Sequence, residues 1–288
     1  MAEPCIGVIG GSGLYDIEGL TDIDEVAVET PFGAPSDVIV VGRLHGTRMA
    51  FLPRHGRGHR FSPSEVNYRA NLWALRSLGA RHVVSVSAVG SMKEGIEPGH
   101  LVMVDQFVDR TVGRARTFFE DGVVAHVGFG HPICGALSRS LYDAATGKGY
   151  DAHLGGTYVC IEGPQFSTRA ESMLFRTWGV DVIGMTGLPE ARLAREAEMC
   201  YATIALATDY DCWHEEEAHV SVEAVMQIMS QNVAKAKSVI ASIAAAGIPS
   251  GDCACHHALR YAVMTDPKRI PPAVRSRLGM FLDPTLPA

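Results

Sequence analysis

The stretch Ile6-Gly7-Val8-Ile9-Gly10-Gly11-Ser12-Gly13 is a short apolar run followed at once by a glycine-rich turn. Isoleucine and valine favour a strand, and a glycine turn lets backbone N–H groups approach an anion closely. The turn is therefore either an anion-binding loop or a plain tight turn. It is not a dinucleotide-binding loop, because the third glycine of G-x-G-x-x-G would fall at Asp16.

Short apolar runs of this kind recur along the chain with helical patterns between them. Strands are predicted at residues 6–9, 38–41, 49–52, 82–86, 101–104, 158–161, 180–183 and 203–207. Helices are predicted at residues 63–78, 133–148, 168–178, 190–198, 222–246, 254–264 and 272–278. This alternation predicts an α/β fold with a central sheet covered by helices.

The length and composition indicate a globular protein. The chain has 288 residues, of which 47% are hydrophobic and 20% charged, a balance that excludes disorder and coiled coil. We find no linker within residues 1–246 and assign them to one domain. Residues 247–288, which begin with a Pro/Gly/Ser stretch, are predicted to form a short helical extension packed on that domain.

The charge balance excludes several kinds of partner. The chain carries 25 Lys and Arg against 32 Asp and Glu, a formal net charge of −7, and no dense basic run, so nucleic acid is not expected to bind. No positive segment precedes the first apolar run, and no run approaches the ~20 apolar residues of a membrane helix. We expect no membrane association and a cytoplasmic location.

The cysteine pattern predicts free thiols. Seven cysteines in apolar surroundings are an odd number, typical of small buried residues rather than disulfide partners. The exception is Cys253-Ala254-Cys255, followed by two histidines, which are surface thiols, a vicinal redox pair or metal ligands. Zinc would favour a two-residue gap and a second ligand pair of known spacing; because neither is present, no metal is expected.

Two segments at strand ends carry groups that bind anions. Arg54-His55-Gly56-Arg57-Gly58-His59-Arg60 suits a phosphate-like dianion or is a solvated basic loop. Its place at the carboxyl end of a strand in an acidic chain favours the anion site. The run Ser85-Val86-Ser87-Ala88-Val89-Gly90-Ser91 ends another strand with small hydroxyl donors.

Two further segments suit a base or a proton transfer. Phe166 lies in a turn before a predicted helix and either stacks on a heterocycle or packs against that helix. Asp209 and Asp211 end the last strand two residues apart, so both point to one face. They either exchange protons with a substrate or cap the next helix. His214 and His219 are five residues apart, not the four that zinc ligation from one helical face needs.

These segments together resemble the trimeric purine nucleoside phosphorylase family. The resemblance spans roughly residues 6–246. It rests on Gly10-Gly11-Ser12-Gly13-Leu14, Thr30-Pro31-Phe32-Gly33, Pro53-Arg54-His55-Gly56, the run at 67–75, Gly163-Pro164-Gln165-Phe166-Ser167, Met185-Thr186 with Pro189-Glu190, and Thr208-Asp209-Tyr210-Asp211-Cys212-Trp213. It implies a single α/β domain with a mixed twisted sheet and a homotrimer, or a hexamer of two trimers, with active sites at subunit borders. It also implies reversible phosphorolysis of a nucleoside with inorganic phosphate as co-substrate and no metal or organic cofactor.

The resemblance also implies roles for individual residues. The phosphate site would comprise Ser12, Arg54, His55, Ser87, the backbone N–H of Ala88, and Thr186. Met185 would lie along the ribose, Phe166 and Ser167 would line the base, and Thr208 would contact the substrate. His126 of a neighbouring subunit, Val222 and Val225 would line the pocket for the 5′ group. Ser12 and Ser87 stand where a threonine is common, and both keep the hydroxyl.

The two aspartates are the expected catalytic residues. Asp209 would donate a proton toward purine N7, and Asp211 would orient it or accept from the exocyclic amine. Relatives that act on inosine carry a glutamate and an asparagine where this chain has Ser167 and Asp209, so a 6-aminopurine is favoured. The apolar 5′ pocket fits a methylthio group, which predicts a role in purine and methionine salvage. The alternative is a broader enzyme that accepts adenosine or 6-oxopurine nucleosides such as methylthioinosine.

Overall fold

The computed structural model describes residues 3–11, 13–14, 16–214, 222–247 and 251–286, with the backbone alone for 222–226. The strands are β1 (Cys5–Gly10), β2 (Leu20–Val26), β3 (Ile39–Leu44), β4 (Thr47–Pro53), β5 (Ala80–Ser91), β6 (Leu101–Met103), β7 (Gln106–Arg110), β8 (Ala152–Leu154), β9 (Thr157–Ile161), β10 (Val182–Gly184) and β11 (Cys200–Tyr210). The helices are α1 (Tyr68–Ser77), α2 (Gly135–Thr146), α3 (Arg169–Thr177), α4 (Gly187–Glu196), α5 (Val222–Ala246), α6 (Pro272–Arg277) and α7 (Gly279–Leu282).

The described strands form one mixed sheet in the order β2-β3-β4-β1-β5-β10-β9-β7, with β11 beside β5, β6 beside β11 and β8 beside β6. Strand β5 pairs in parallel with β1 and β11, whereas β10 joins it antiparallel. The predicted α/β fold with a mixed sheet in a single domain is thus confirmed. In the part of the chain described, no helix is long and apolar enough to cross a bilayer.

The long strand β5 divides the sheet near its end. Its first half pairs with β1 up to Ser85, and its last two residues, Gly90 and Ser91, pair with β10. On that edge, residues 86–89 lie between the two pairings and line a cavity. The sheet therefore opens at the carboxyl end of its central strand, where α/β proteins bind ligands.

Three strands were missed by the sequence analysis. Strand β2 is polar and largely exposed at the edge of the sheet, so it shows no apolar run. Strands β7 and β8 are short, and every residue in them is at least partly exposed. Such strands form because a neighbour supplies hydrogen bonds, a condition that the local sequence does not encode.

Two predicted helices differ in the structure. The helix predicted at 63–78 begins only at Tyr68, because the Asn67 side chain accepts from the backbone N–H of Ala70 and caps it there. The helix predicted at 254–264 is a 3₁₀ turn (Ala254–His257) followed by irregular chain. Residues 262–264 of this segment form backbone hydrogen bonds with residues 124–126 instead of helical hydrogen bonds.

The C-terminal tail packs on the same core as the sheet. Ile270, Val274 and Phe281 are buried, and the Phe281 ring centroid lies 4.9 Å from that of Phe118. The tail therefore contributes apolar contacts to the larger hydrophobic core. The domain boundary at residue 247 stays a prediction.

Candidate active site

A cavity of about 460 Å³ lies beside the carboxyl ends of β1, β4, β5 and β11. Turns after β9 and β10 and one face of α5 close its sides. Most of the residues that the sequence analysis singled out for phosphate or substrate line it: Arg54, His55, Ser87, Ala88, Phe166, Ser167, Met185, Thr186, Thr208, Asp209 and Asp211. The structure thus brings together eleven residues from five separate parts of the chain.

Four predicted residues are not among those lining it. Ser12 and the side chains of Val222 and Val225 lie outside the described part of the chain. His126 lies in the segment that pairs with the tail and donates its backbone N–H to Ala262 O, away from the cavity of its own chain. Its predicted role in a neighbouring subunit stays a prediction.

Helix α5 lines the cavity with side chains that the sequence analysis missed. Met229 and Val233 both contact the cavity. They are spaced at i and i+4, so both lie on one face of the helix. The described part of α5 therefore presents an apolar face to the cavity.

A buried ion pair lies behind the cavity wall, to which Arg54 contributes. Arg54 donates from Nε to Glu190 Oε2 at 2.8 Å and from Nη2 to Oε1 at 3.0 Å, and the two side chains are 3% and 0% exposed. Glu190 Oε1 also accepts from the hydroxyls of Ser85 and Tyr201, at 2.7 and 2.8 Å. The carboxylate is therefore held by one cation and two hydroxyl donors.

The same guanidinium links β1 and β5 at the point where β4 ends. It donates to the carbonyl oxygens of Ile9 and Val86, and the Arg54 backbone N–H donates to Gly10 O. Burial alone would lower the pKa of Arg54, but the Glu190 carboxylate raises that pKa above its ordinary value. Arg54 is a fixed, permanent cation. Its partner Glu190 belongs to the Pro189-Glu190 motif, to which the sequence alone assigns no role.

His55 presents a neutral imidazole to the cavity. Burial and the neighbouring Arg54 cation lower its pKa to about 4. Its Nδ1 lies 2.8 Å from Phe61 O, so Nδ1 carries the proton and donates. Nε2 is left as an acceptor, which suits a hydrogen bond from a protonated phosphate oxygen.

Two hydroxyls meet at the same end of the cavity. Ser87 Oγ and Thr186 Oγ1 are 2.9 Å apart, and both residues are buried. The hydroxyl of Tyr158 accepts from the Thr186 backbone N–H at 3.3 Å. Gly184 makes room for that phenol, because a Cβ at position 184 would lie 2.1 Å from the Tyr158 oxygen. Cation, imidazole and hydroxyls together fit an oxyanion with several acceptor oxygens.

Two carboxylates lie further along the cavity, because Asp209 pairs with Gly90, three residues beyond Ser87 on β5. The β11 register shifts between Ala207 and Asp209, so Thr208 forms a bulge and donates to Asp209 Oδ2 at 2.8 Å. Asp211 Oδ2 accepts from Ser167 Oγ at 3.1 Å. A Cβ on Gly90 would lie 3.2 Å from Asp209 Oδ1, so glycine at 90 keeps the space beside these acids open.

An exposed aromatic ring stands at the mouth of the cavity. Phe166 is 86% exposed and directly precedes Ser167. A ring left in this position can stack on a planar base that enters between it and the acids. The cavity therefore offers an anion-binding end, an aromatic face, and carboxylates that accept from or donate to ring nitrogens.

A buried arginine fixes the loops around this site. Arg114 donates to the carbonyl oxygens of Met185 and Leu188 from the β10–α4 side, at 2.5 and 2.7 Å. It also donates to Glu162 O after β9, at 2.6 Å. One guanidinium thus holds in place two of the turns that line the cavity, a role that no local sequence motif indicates.

Comparison with known proteins agrees with this geometry. The family model described as the phosphorylase superfamily matches residues 5–245. This chain belongs to the phosphorylase superfamily, the class of protein that its mixed sheet and cavity define.

Its relatives narrow the class further. The chain is 59% identical over 281 residues to an S-methyl-5′-thioadenosine phosphorylase of Geobacter sulfurreducens, covering 97% of this chain and 98% of that one. An enzyme of the same name from Koribacter versatilis is 51% identical, with 96% and 95% covered. A methylthioadenosine phosphorylase from an antarctic soil metagenomic library superposes with a TM-score of 0.93 at 46% identity over 100% of both chains.

We predict that the buried Arg54–Glu190 pair is essential for stability. Glu190→Gln leaves a buried guanidinium without its counter-charge, which should lower the free energy of unfolding by about 3–5 kcal/mol. The matched control is Glu25→Gln, which breaks the exposed Arg57–Glu25 pair. This control should change the free energy of unfolding by less than ~1 kcal/mol. Urea unfolding followed by circular dichroism measures both; equal effects would show that the buried pair has no special role.

Proposed function

We propose that this chain catalyses the phosphorolysis of S-methyl-5′-thioadenosine to adenine and 5-methylthioribose 1-phosphate. It is a pentosyltransferase, a glycosyltransferase that moves a pentose from the purine to phosphate. One observation carries the assignment: a single cavity is lined by anion-binding groups around Ser87 and by the Asp209/Asp211 carboxylates, which lie about three residues further along β5. Relatives of that name at high identity over nearly the full chain support the same activity.

The two ends of the cavity suit the charges that develop in this reaction. Breaking the bond between C1′ and the purine N9 leaves positive charge on the sugar and negative charge on the base. Phosphate held by His55, Ser87 and Thr186 stabilises the sugar cation, and one of its oxygens forms the new bond to C1′. The pair of electrons from the broken bond stays on the purine.

Protonation of the base completes the reaction. Asp209 donates its proton toward N7, so adenine leaves neutral. Asp211 accepts a hydrogen bond from the 6-amino group, and Ser167 donates to the Asp211 carboxylate. No organic cofactor and no metal at this cavity is needed, because phosphate is both nucleophile and co-substrate.

The apolar face of α5 favours a substrate with an apolar group at the 5′ position. Met229 and Val233 line the cavity, and Val222 and Val225 lie further along the same helix. A methylthio group buried there gains the transfer free energy of a small apolar group, ~1–3 kcal/mol. Adenosine is therefore a weaker substrate, and a 6-oxo nucleoside weaker still, because its oxygen would face a carboxylate.

A phosphate-dependence assay tests the activity. The chelator-treated chain is expected to release adenine from methylthioadenosine only when phosphate is added, with kcat/KM ranking methylthioadenosine above adenosine and inosine last. Release without phosphate would indicate a hydrolase, and no release would indicate a nucleoside-binding protein. Equal cleavage of inosine would favour the broader purine nucleoside phosphorylase.

The role of Asp209 is tested by removing its proton. Asp209→Asn keeps the shape of the side chain but cannot supply a proton, so kcat should fall ~10²- to 10⁴-fold with a smaller change in KM. Asp143→Asn, on the exposed face of α2, is the matched control and should leave kcat unchanged. A kcat within a few-fold of the parent would remove Asp209 from the mechanism.

We propose a cytoplasmic homotrimer, or a hexamer of two trimers. The assembly is supported by the family resemblance, in which His126 of one subunit completes the 5′ pocket of another. Seven free cysteines among the described residues support a reducing compartment. We expect sedimentation equilibrium to give a multiple of three; a fully active monomer would contradict the shared pocket.

A further inference from the structure

Four cysteines from three distant parts of the chain meet at one point. Cys134 directly precedes α2, Cys200 begins β11, and Cys253 and Cys255 lie at the start of the 3₁₀ turn in the tail. Their four sulfur atoms all lie within 4.8 Å of one another. Cys134, Cys200 and Cys255 are buried, and Cys253 is partly exposed. None of the four lines the active-site cavity.

The sulfur separations fit a tetrahedral metal site. Zn²⁺ binds thiolates at about 2.3 Å, so four sulfurs around one ion lie about 3.8 Å from each other. The Cys134 and Cys253 sulfurs are 3.9 Å apart. The cluster therefore needs only small shifts of its side chains to enclose an ion.

Two histidine side chains lie beside the cysteine cluster. His256 Nε2 lies 3.4 Å from Cys200 Sγ, within reach of a hydrogen bond to a thiolate. His82 packs edge-on against His256, with ring centroids 5.5 Å apart. Its Nδ1 is buried and has no hydrogen-bond partner among the described residues. Metal-bound ligands characteristically have such polar groups around them, which orient the ligand and tune its charge.

We propose that Cys134, Cys200, Cys253 and Cys255 bind one Zn²⁺ as a structural tetrathiolate site. Each thiol releases its proton to solvent as its sulfur coordinates the ion. All four positions are taken by protein, so the ion has no open position for a substrate, and the site is not catalytic. Its effect is to tie the C-terminal tail to α2 and β11.

The site differs from the zinc motifs that sequence spacing reveals. Cys253 and Cys255 are separated by one residue, and Cys134 lies 119 residues before Cys253. The sequence analysis expected no metal because it saw only the C-x-C pair. The two missing ligands come from the core of the fold.

Metal analysis of the full-length chain tests the proposal. The protein is purified from cytosol under reducing conditions without chelator, and bound metals are measured by mass spectrometry. We expect about one equivalent of Zn²⁺ per chain, and a Co²⁺-substituted sample should show the visible absorption of tetrahedral cobalt thiolate. Metal-free protein with free thiols, or a disulfide within the cluster, would overturn the proposal, and iron or copper in place of zinc would overturn the choice of metal.

Variants identify the ligands by direct titration with Zn²⁺. Cys253→Ser, at the partly exposed position, removes a ligand with little change to the core, and it should weaken binding by more than the ~10- to 100-fold typical of changes around a metal site. Cys212→Ser alters an exposed cysteine outside the cluster and should bind Zn²⁺ as the parent does. Equal binding by both variants would exclude Cys253 as a ligand and overturn the four-cysteine site.

A third variant separates this set from an overlapping one. His82, Cys200 and His256 also have ligand atoms within 4.8 Å of one another. His82→Asn should keep its zinc and its cobalt thiolate spectrum if the cysteines bind the ion. Loss of the metal in this variant, with binding retained in Cys253→Ser, would place the ion on the histidines and overturn the proposal.

Discussion

The buried pair of Arg54 and Glu190 is the constraint on which the active site depends. It joins the end of β4 to α4, and through hydrogen bonds it also reaches the end of β1, the middle of β5 and the hydroxyl of Tyr201 on β11. A buried charge without its partner is strongly destabilising, so the two elements must close together or not at all. The strand ends that line the cavity are consequently held in one arrangement before any ligand binds.

The division of the sheet at β5 opens the cavity and places its anion-binding donors apart from its carboxylates. Strand β5 leaves β1 and joins β10 only at its last residues, and the open edge between them faces the ligand site. Donors from the turns after β4 and β10 and from Ser87 on β5 lie on one side, and Asp209 of β11 lies about three residues further along β5. This separation matters because phosphorolysis develops opposite charges on the sugar and on the base, and a fixed dipolar site stabilises both without reorganising.

The cysteine cluster addresses a different problem, the attachment of the tail. The tail buries Ile270, Val274 and Phe281 in the core, but its first residues form only a short 3₁₀ turn with few internal hydrogen bonds. A metal ion that cross-links this turn to α2 and β11 would fix its position, which its few internal hydrogen bonds do not do. The active site and the cluster share β11, whose two ends contribute to one site each.

The sequence alone was enough for the α/β class, eight of the eleven strands in the described residues, and the boundaries of α5. It also singled out eleven residues that the structure brings to one cavity. These succeed because apolar runs, glycine turns and ordered motifs are local signals. The edge strand β2, the start of α1 at Tyr68, the Glu190 partner of Arg54 and the meeting of four cysteines were decided by tertiary structure. Each depends on a hydrogen bond, an ion pair or a short contact between residues distant in the chain, and an isolated segment carries no information about which distant group will lie beside it.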